Sequence, residues 1–319
     1  MLNRSLYAGI SCVYSLVLCA GFAQGQTFPS KPIRVVTGSA GGSSDNVIRP
    51  IAIALSSSLG QQVIVDNRPA VMQTEIVSKA AADGHTLLAT SATLWLLPYM
   101  RDNVPYDPIR DFSPVTLINR LVNVVVVHPS AAAGSIKELI ALAREKPGQL
   151  NYASAGTGTV AHLSAELFKT MAGVNIVHVP YKGAGPALVA LIGGQVQLSF
   201  SSASSVMSHI KSGKLRGLAI TSAQPSALAP GLPPVASSVP GYELVGITAL
   251  FAPAKTPVAV IRQLNQEMVR YLTQPDTKER YLSGGSEVVA SSPEELAATM
   301  KAEMNRLGKV IRDAGITAE

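Results

Sequence analysis

The chain has 319 residues, enough for about two domains. Hydrophobic residues make up 47% and charged residues only 14%, a balance that supplies a large core and excludes intrinsic disorder. The net charge is +6, but the 26 basic residues are scattered and aromatics are only 5%, which argues against a nucleic-acid surface; the positive balance helps anions approach without identifying them.

Residues 1–25 read as a secretory signal peptide. Arg4 supplies the positive n-region, Leu6 to Ala20 is largely apolar, and Ala23-Gln24-Gly25 has the small-x-small pattern of a cleavage site, so the mature chain starts near Gln26. The apolar run is short for a bilayer span, and no later stretch reaches ~18 uninterrupted apolar residues. Both cysteines, Cys12 and Cys19, fall inside this segment. The mature chain therefore has no thiol, which excludes disulfides and Cys-ligated metals. Leu18 is too large for the residue that precedes a lipid-anchor cysteine, so Cys19 is read as part of the signal.

After the extended Phe28-Pro29-Ser30-Lys31-Pro32, strands are expected at Ile33–Val36, Gln62–Asp66 and His85–Ala89. Helices between them are expected toward Leu59 and over Glu75–Ala82. This βαβαβ pattern with short loops points to a parallel sheet covered by helices. Phe112–Asn119 and Leu121–Val127 are strand-like, and His128-Pro129 stops the second. A fresh α/β series follows: strands Leu150–Ala153, Ile176–Val179, Val196–Phe200 and Leu215–Ile220, with helices near Ser135–Arg144, Thr159–Met171, Gly185–Ile192 and Ser204–Lys211. Its repetition suggests a second lobe with its own parallel sheet. Gln224 to Pro240 reads as an ordered loop, and Leu244–Phe251 as a strand crossing back to the first lobe. Helices over Pro257–Thr273, Pro275–Leu282 and Pro293–Ala314 each have Pro near the start, where a missing N–H costs nothing. The expected domains are residues 26–128 plus 249–319 as lobe 1 and residues 129–248 as lobe 2.

Two small-residue turns carry the functional reading. The first, Thr37 to Asp45, joins a strand to a helix through Ser39, Ala40, Gly41, Gly42 and Ser43. The second, Ser154 to Thr159, does the same through Gly156 and Thr157. The first N–H groups of a helix have no intrahelical partner, and the helix dipole favours an anion beside them. Each turn alone is an ordinary βα connection; two in opposite halves suggest two lobes facing one anionic ligand. Ser91-Ala92-Thr93 ends the third strand at the carboxyl edge of its sheet, where ligands bind in open α/β folds. His162 lies one turn into the second anion-facing helix.

Motifs distributed in order along the chain then carry a resemblance. They are Phe28-Pro29-Ser30-Lys31-Pro32-Ile33-Arg34, Gly41-Gly42-x-x-Asp45, Asp66-Asn67-Arg68-Pro69, Ala82-Asp83-Gly84 and Pro105-Tyr106-Asp107-Pro108. Lys146-Pro147-Gly148-Gln149-Leu150-Asn151-Tyr152, His178-Val179-Pro180-Tyr181-Lys182-Gly183 and Gly213-Lys214-Leu215-Arg216 follow. The chain resembles Bug-family receptors, the periplasmic solute-binding components of tripartite tricarboxylate transporters. The resemblance implies a type II periplasmic-binding-protein fold: two α/β lobes joined by a two-strand hinge, with a ligand cleft between them. It implies a small organic carboxylate as ligand and two integral-membrane transporter subunits as partners; the expectation is a periplasmic monomer with no cofactor or metal. The family's ligand positions correspond here to Thr37–Asp45, to Ser91 and Thr93, to Ser154–Thr159 with His162, to Tyr181, and to Ser201-Ser202.

Several positions depart from the family pattern. Thr37-Gly38 stands where Pro-Phe is usual, and Ser201-Ser202 replaces Asp-Asn, which removes a carboxylate. A pocket of this kind does not hold an ammonium group there and favours a carboxylate with an apolar or aromatic body. Trp95, in the apolar run Leu94-Trp95-Leu96-Leu97, is a candidate wall; core packing is the default for a lone tryptophan in such a run. Catalytic readings fare poorly. Ser208-His209-Ile210-Lys211 fits Ser-x-x-Lys, but the companion motifs of that chemistry are absent, and no Gly-x-Ser-x-Gly elbow exists. No Gly-Lys-Ser/Thr completes a phosphate loop at Ala155–Thr159. The five histidines, His85, His128, His162, His178 and His209, show no metal-ligand spacing. The expectation is a binding protein, not an enzyme, with a ligand-presenting sensor for a membrane receptor kinase as the alternative role.

Overall fold

The computed structural model describes residues 28–38, 40 and 43–317. The signal-peptide reading and the turn residues Ser39, Gly41 and Gly42 therefore lie outside the described residues. Among the described residues, eleven strands form two sheets. In the first, β1 (Ile33–Thr37) pairs in parallel with β2 (Val63–Asn67) and β3 (Thr86–Thr90). Then β10 (Gly246–Pro253) pairs antiparallel with β3 and β4 (Phe112–Leu121), and the short β11 (Glu287–Val288) closes that edge. In the second sheet, β6 (Asn151–Ser154) pairs in parallel with β7 (Val177–Pro180) and β8 (Leu198–Ser202). β5 (Asn123–Val127) lies antiparallel between β8 and β9 (Arg216–Ile220).

Neither sheet is all-parallel, which corrects the expectation for the second. The reason lies in the hinge. β4 runs straight through Val122 into β5, so one extended segment serves both sheets and enters the second against the grain of β6 and β8. All of β5 is buried, four of its five residues are valine, and it sits one strand in from the sheet edge, which suits a β-branched run. The sheets thus change over at Val122. The return crossing is β10, whose first residue pairs with the last of β4. At that crossing a Cβ on Gly246 would lie 3.3 Å from the Leu121 Cβ, so glycine lets the two hinge strands approach.

Among the described residues, ten α-helices cover the sheets. α1 (Ser43–Leu59), α2 (Ala70–Ser78) and α3 (Thr93–Met100) follow β1, β2 and β3; α4 (Ile136–Glu145), α5 (Val160–Ala172), α6 (Ala184–Ile192) and α7 (Ala203–Lys211) serve the second lobe; α8 (Val258–Leu272), α9 (Pro275–Ser283) and α10 (Pro293–Asp313) return to the first. Two differ from expectation. α2 starts directly after Pro69, at its N-cap, and ends at Ser78, several residues earlier than the expected Glu75–Ala82. α3 was not expected at all: its run Thr93–Met100 is apolar on every side and contains Pro98, so no helical period shows. Leu94 to Leu97 and Met100 are buried between the first sheet, where Trp95 meets Phe251, and α10, while Thr93 and Pro98 stay exposed. α10 opens on a capping box, with the Ser292 hydroxyl and the Glu295 carboxylate each accepting the other's backbone N–H.

Candidate functional site

Four parallel strands point their carboxyl ends into the gap between the lobes, and each is followed by a helix. β1 leads into α1 at Ser43, β3 into α3 through Ser91-Ala92, β6 into α5 through the turn at Ala155–Thr159, and β8 into α7 at Ser202. These ends enclose a cavity of about 330 Å³ between the two sheets. Its polar lining comes from both lobes: Ser43, Ser91 and Thr93 from the first, Asn123, Thr159 and Ser202 from the second. Its apolar lining comes from α3 (Leu96, Met100), the hinge (Leu121, Leu244, Val245, Ile247), α5 (Val160, Leu163) and Leu307 of α10. Among the described residues no Lys or Arg lines it, and the only charged group is Glu303. The hydroxyls are pre-arranged in pairs. Ser91 Oγ and Thr93 Oγ1 are 2.9 Å apart, and Ser202 Oγ and Ser205 Oγ are also 2.9 Å apart. Such a site offers a carboxylate several neutral donors and no counter-charge.

Of the residues named from sequence, Ser43, Ser91, Thr93, Thr159 and Ser202 line this cavity. Ala40 and Thr157 are exposed turn residues outside its lining. Asp45 is 2% exposed and faces inward. Its carboxylate accepts from Arg49 Nε at 2.9 Å and from Asn67 Nδ2 at 2.8 Å, and the same Asn67 amide donates to the Gly38 carbonyl at 2.7 Å. Asp45 thus fastens the first turn to the end of β2. Ser201 turns toward Ser199, Oγ to Oγ 2.8 Å, within the second sheet. Tyr181 packs partly buried against the apolar cluster around β5 and α6.

The second turn rests on a stack of rings that sequence spacing did not reveal. His162 stacks on His178 with centroids 4.1 Å apart, and His178 stacks on Tyr152 at 4.8 Å. Each histidine holds a piece of the turn: Gly158 N–H donates to His162 Nδ1 at 3.0 Å, and His178 Nε2 meets Ser154 Oγ at 2.7 Å. Ser154 Oγ also donates to the Gly156 carbonyl at 3.1 Å, while Gly156 takes φ +133°, a value that suits glycine. The Thr159 hydroxyl caps α5 and donates to the Gly156 carbonyl at 2.7 Å. Ser154, Gly156 and His162 therefore set the position of Gly158 and Thr159, which line the cavity. Burial lowers the pKa of His162, and burial with the neighbouring His162 takes His178 down to about 4. Beneath the stack the Tyr152 hydroxyl donates to Glu166 Oε1 at 2.6 Å, and Lys169 Nζ donates to the same oxygen at 2.7 Å. Among the described residues no group of three or more His, Asp or Glu is placed to hold a metal.

The lobes touch across the cleft. Ser226 Oγ donates to Glu287 Oε1 at 2.6 Å, and Arg306 Nη1 of α10 donates to the Glu243 carbonyl. Gly285, after α9, sits against Ser204 of α7 with φ +82°, and a Cβ there would lie 2.3 Å from the Ser204 Cβ. Gly285→Val is expected to hold this contact open and to weaken ligand affinity by about tenfold or more, because closure is part of binding in a hinged clamp. Calorimetric titration with small-angle scattering checks this: ligand-loaded variant should remain more extended than ligand-loaded wild type.

The model of the tripartite tricarboxylate transporter family receptors matches residues 47–316. The chain belongs to this family. Among its curated relatives, a Pseudomonas sp. protein encoded in the tcbD-tcbE intergenic region is 37% identical over 297 residues, covering 91% of this chain and 88% of the relative. Protein BugT of Bordetella pertussis is 34% identical over 296 residues, covering 91% of each. Among solved structures, R. palustris Rpa4515 with adipate superposes with a TM-score of 0.76 at 33% identity, covering 91% of this chain and 99% of that one. The two-lobe architecture of this receptor is that of the family's solute-binding proteins.

In this receptor the hinge and α10 contributions to the cavity were not read from sequence. The strand at Leu244–Phe251, read as a crossover, implied a place beside the cleft. α10 carried a sharper signal: Leu296, Met300, Leu307 and Ile311 form its buried stripe, and Glu303 interrupts that stripe at the same spacing. Trp95 is not a cavity wall. It is 0% exposed, edge-on to Phe251 at 6.1 Å, and donates from Nε1 to Glu303 Oε2 at 3.0 Å. Its indole N–H needed a buried partner, and α10 supplies one.

Proposed function

We propose that this receptor captures a small organic carboxylate with an apolar body in the periplasm and delivers it to two integral-membrane transporter subunits. The supporting observation is the make-up of the interlobe cavity: hydroxyls of both lobes gathered at the strand ends, the start of α5 beside them, and an aliphatic lining otherwise. A carboxylate between Ser91, Thr93, Ser202 and the first N–H groups of α5 would accept hydrogen bonds from both lobes at once, which couples binding to closure; the Thr159 hydroxyl is already committed to the Gly156 carbonyl. The apolar lining gives a hydrocarbon body about 25 cal/mol per Å² buried. Binding of adipate by an R. palustris relative supports the ligand class. Ser201 and Ser202 leave no carboxylate at the second-lobe strand end to pair with an α-ammonium group.

A thermal-shift panel of aliphatic carboxylates, aromatic carboxylates and amino acids tests this reading. A cognate carboxylate at a hundredfold its Kd should add about 2.7 kcal/mol to stability, with a midpoint that climbs as its concentration rises. A clear preference for a zwitterionic amino acid would overturn the assignment. Co-purification with the two membrane subunits tests delivery.

A further inference from the structure

The interlobe cavity has a neighbour. A second cavity of about 320 Å³ lies beside the hinge, lined by Arg120, Glu243, Thr299 and Arg306 among others. Among the described residues, Val245, Ile247 and Glu303 border both cavities. None of the turn residues Ser43, Ser91, Thr159 and Ser202 borders the second one. Glu303 therefore stands with the hinge strand at the end of the ligand cavity where the carboxylate-accepting hydroxyls do not reach.

Glu303 is held there by design of the fold. It occupies the stripe of α10 that otherwise buries Leu296, Met300 and Leu307, and Oε2 accepts the Trp95 indole N–H at 3.0 Å. The other oxygen, Oε1, has no protein donor among the described residues. Arg306, one turn on, gives a guanidinium N–H to the Glu243 carbonyl instead. Burial raises the Glu303 pKa; the Trp95 hydrogen bond and the charges of Arg306 and Arg120 oppose that rise, while Glu243 adds to it. Glu303 is half-buried, so Oε1 stays open to the cavity edge, where a ligand donor can take the place of water.

We propose that Glu303 is a specificity-determining residue: it receives an O–H donor on the far end of the bound carboxylate and rejects a second carboxylate there. This rests on the carboxylate-receptor reading above and deepens it. The ligand class is a hydroxy-terminated monocarboxylate: one end is held by Ser91, Thr93, Ser202 and the start of α5, the hydrocarbon middle by Leu96, Leu163 and Val245, and the terminal hydroxyl by Glu303 Oε1. A dicarboxylate of the same length would set like charges against each other in a poorly solvated space.

The experiment titrates the full mature chain with ω-hydroxyhexanoate, hexanoate and adipate by calorimetry, in wild type and in Glu303→Gln. The amide is isosteric and its oxygen still accepts from Trp95; circular dichroism and the unfolding midpoint verify the fold. Wild type should bind ω-hydroxyhexanoate about tenfold or more tighter than adipate, and the variant should narrow that gap to about threefold or less as adipate gains. Equal or tighter binding of adipate by wild type overturns the proposal without any variant, as does an unchanged ratio in Glu303→Gln. Failure of all three probes, and of the wider carboxylate panel, overturns the underlying receptor reading instead.

Discussion

Trp95→Ala is expected to destabilise the protein by ~3–5 kcal/mol, the range for deleting a large buried aromatic. Trp95 is fully buried and begins a chain of edge-on rings: Trp95 to Phe251, Phe251 to Phe112 at 6.4 Å, and Phe112 to Tyr106 at 5.9 Å. Phe251 belongs to β10, so the chain ties α3 to the hinge strand and onward to β4. Alanine would leave a void that the surrounding sheet and α10 cannot close, since both are fixed by other packing. It would also strip Glu303 of its donor and leave a poorly solvated carboxyl to find another, a second cost of about 1–3 kcal/mol that partly overlaps the first. Trp95→Phe separates the two, because the ring packing is largely kept while the N–H is lost. Urea unfolding of the three proteins followed by circular dichroism measures this, since Trp95 is the only tryptophan and its fluorescence disappears with it. A loss below about 1 kcal/mol for Trp95→Ala would show that the cavity refills, and the proposed rigid support of Glu303 would go with it.

The alternation of strands and helices was legible because it follows local rules. β-branched runs such as Val124–Val127, the small-residue turns, and Pro at the starts of α9 and α10 each declare themselves within a few residues. Strand direction is not local. Whether β5 runs with or against β8 depends on its covalent continuity with β4 across Val122, and that continuity matters only once two sheets exist. The candidate site divides in the same way. Ser91, Thr93, Thr159 and Ser202 sit at strand ends, where topology alone delivers them to the cleft. Glu303 reaches the cleft only because α10 packs against α3 and α5, more than a hundred residues earlier in the chain; its place in the apolar stripe of α10 marks it as inward-facing, but not what it faces. The two histidines illustrate the converse. His162 and His178 are sixteen positions apart, a separation with no meaning along the chain, yet β6, β7 and α5 bring their rings into contact.

That contact makes the second turn sensitive to acid. In the folded chain the pKa of His178 lies at about 4 and that of His162 is also lowered, against 6.5 for a free histidine. The unfolded chain therefore binds more protons than the folded one once the pH drops below about 6.5, so stability is fully present above that value and is lost as pH falls toward 4. The charges around the pair do not reverse this: Glu166 raises both values, but Lys169 lowers them and pairs directly with Glu166. The His178 ring is partly exposed, so solvent screens some of the effect; between about pH 7 and pH 5 the expected loss is on the order of 1 kcal/mol from this residue. Ligand affinity should fall in the same window. Gly158 N–H needs a lone pair on His162 Nδ1, and a proton there removes the acceptor that holds the turn against the cavity. His178→Asn should flatten the pH dependence of stability, because it removes one titrating ring and relieves the other of a stacked neighbour. Urea midpoints at several pH values, with histidine titration followed by NMR, measure both effects. A His178 resonance titrating at 6.5 in the folded protein would remove this residue's contribution, and one above 6.5 would invert its sign, and either would remove the acid-release behaviour proposed for it.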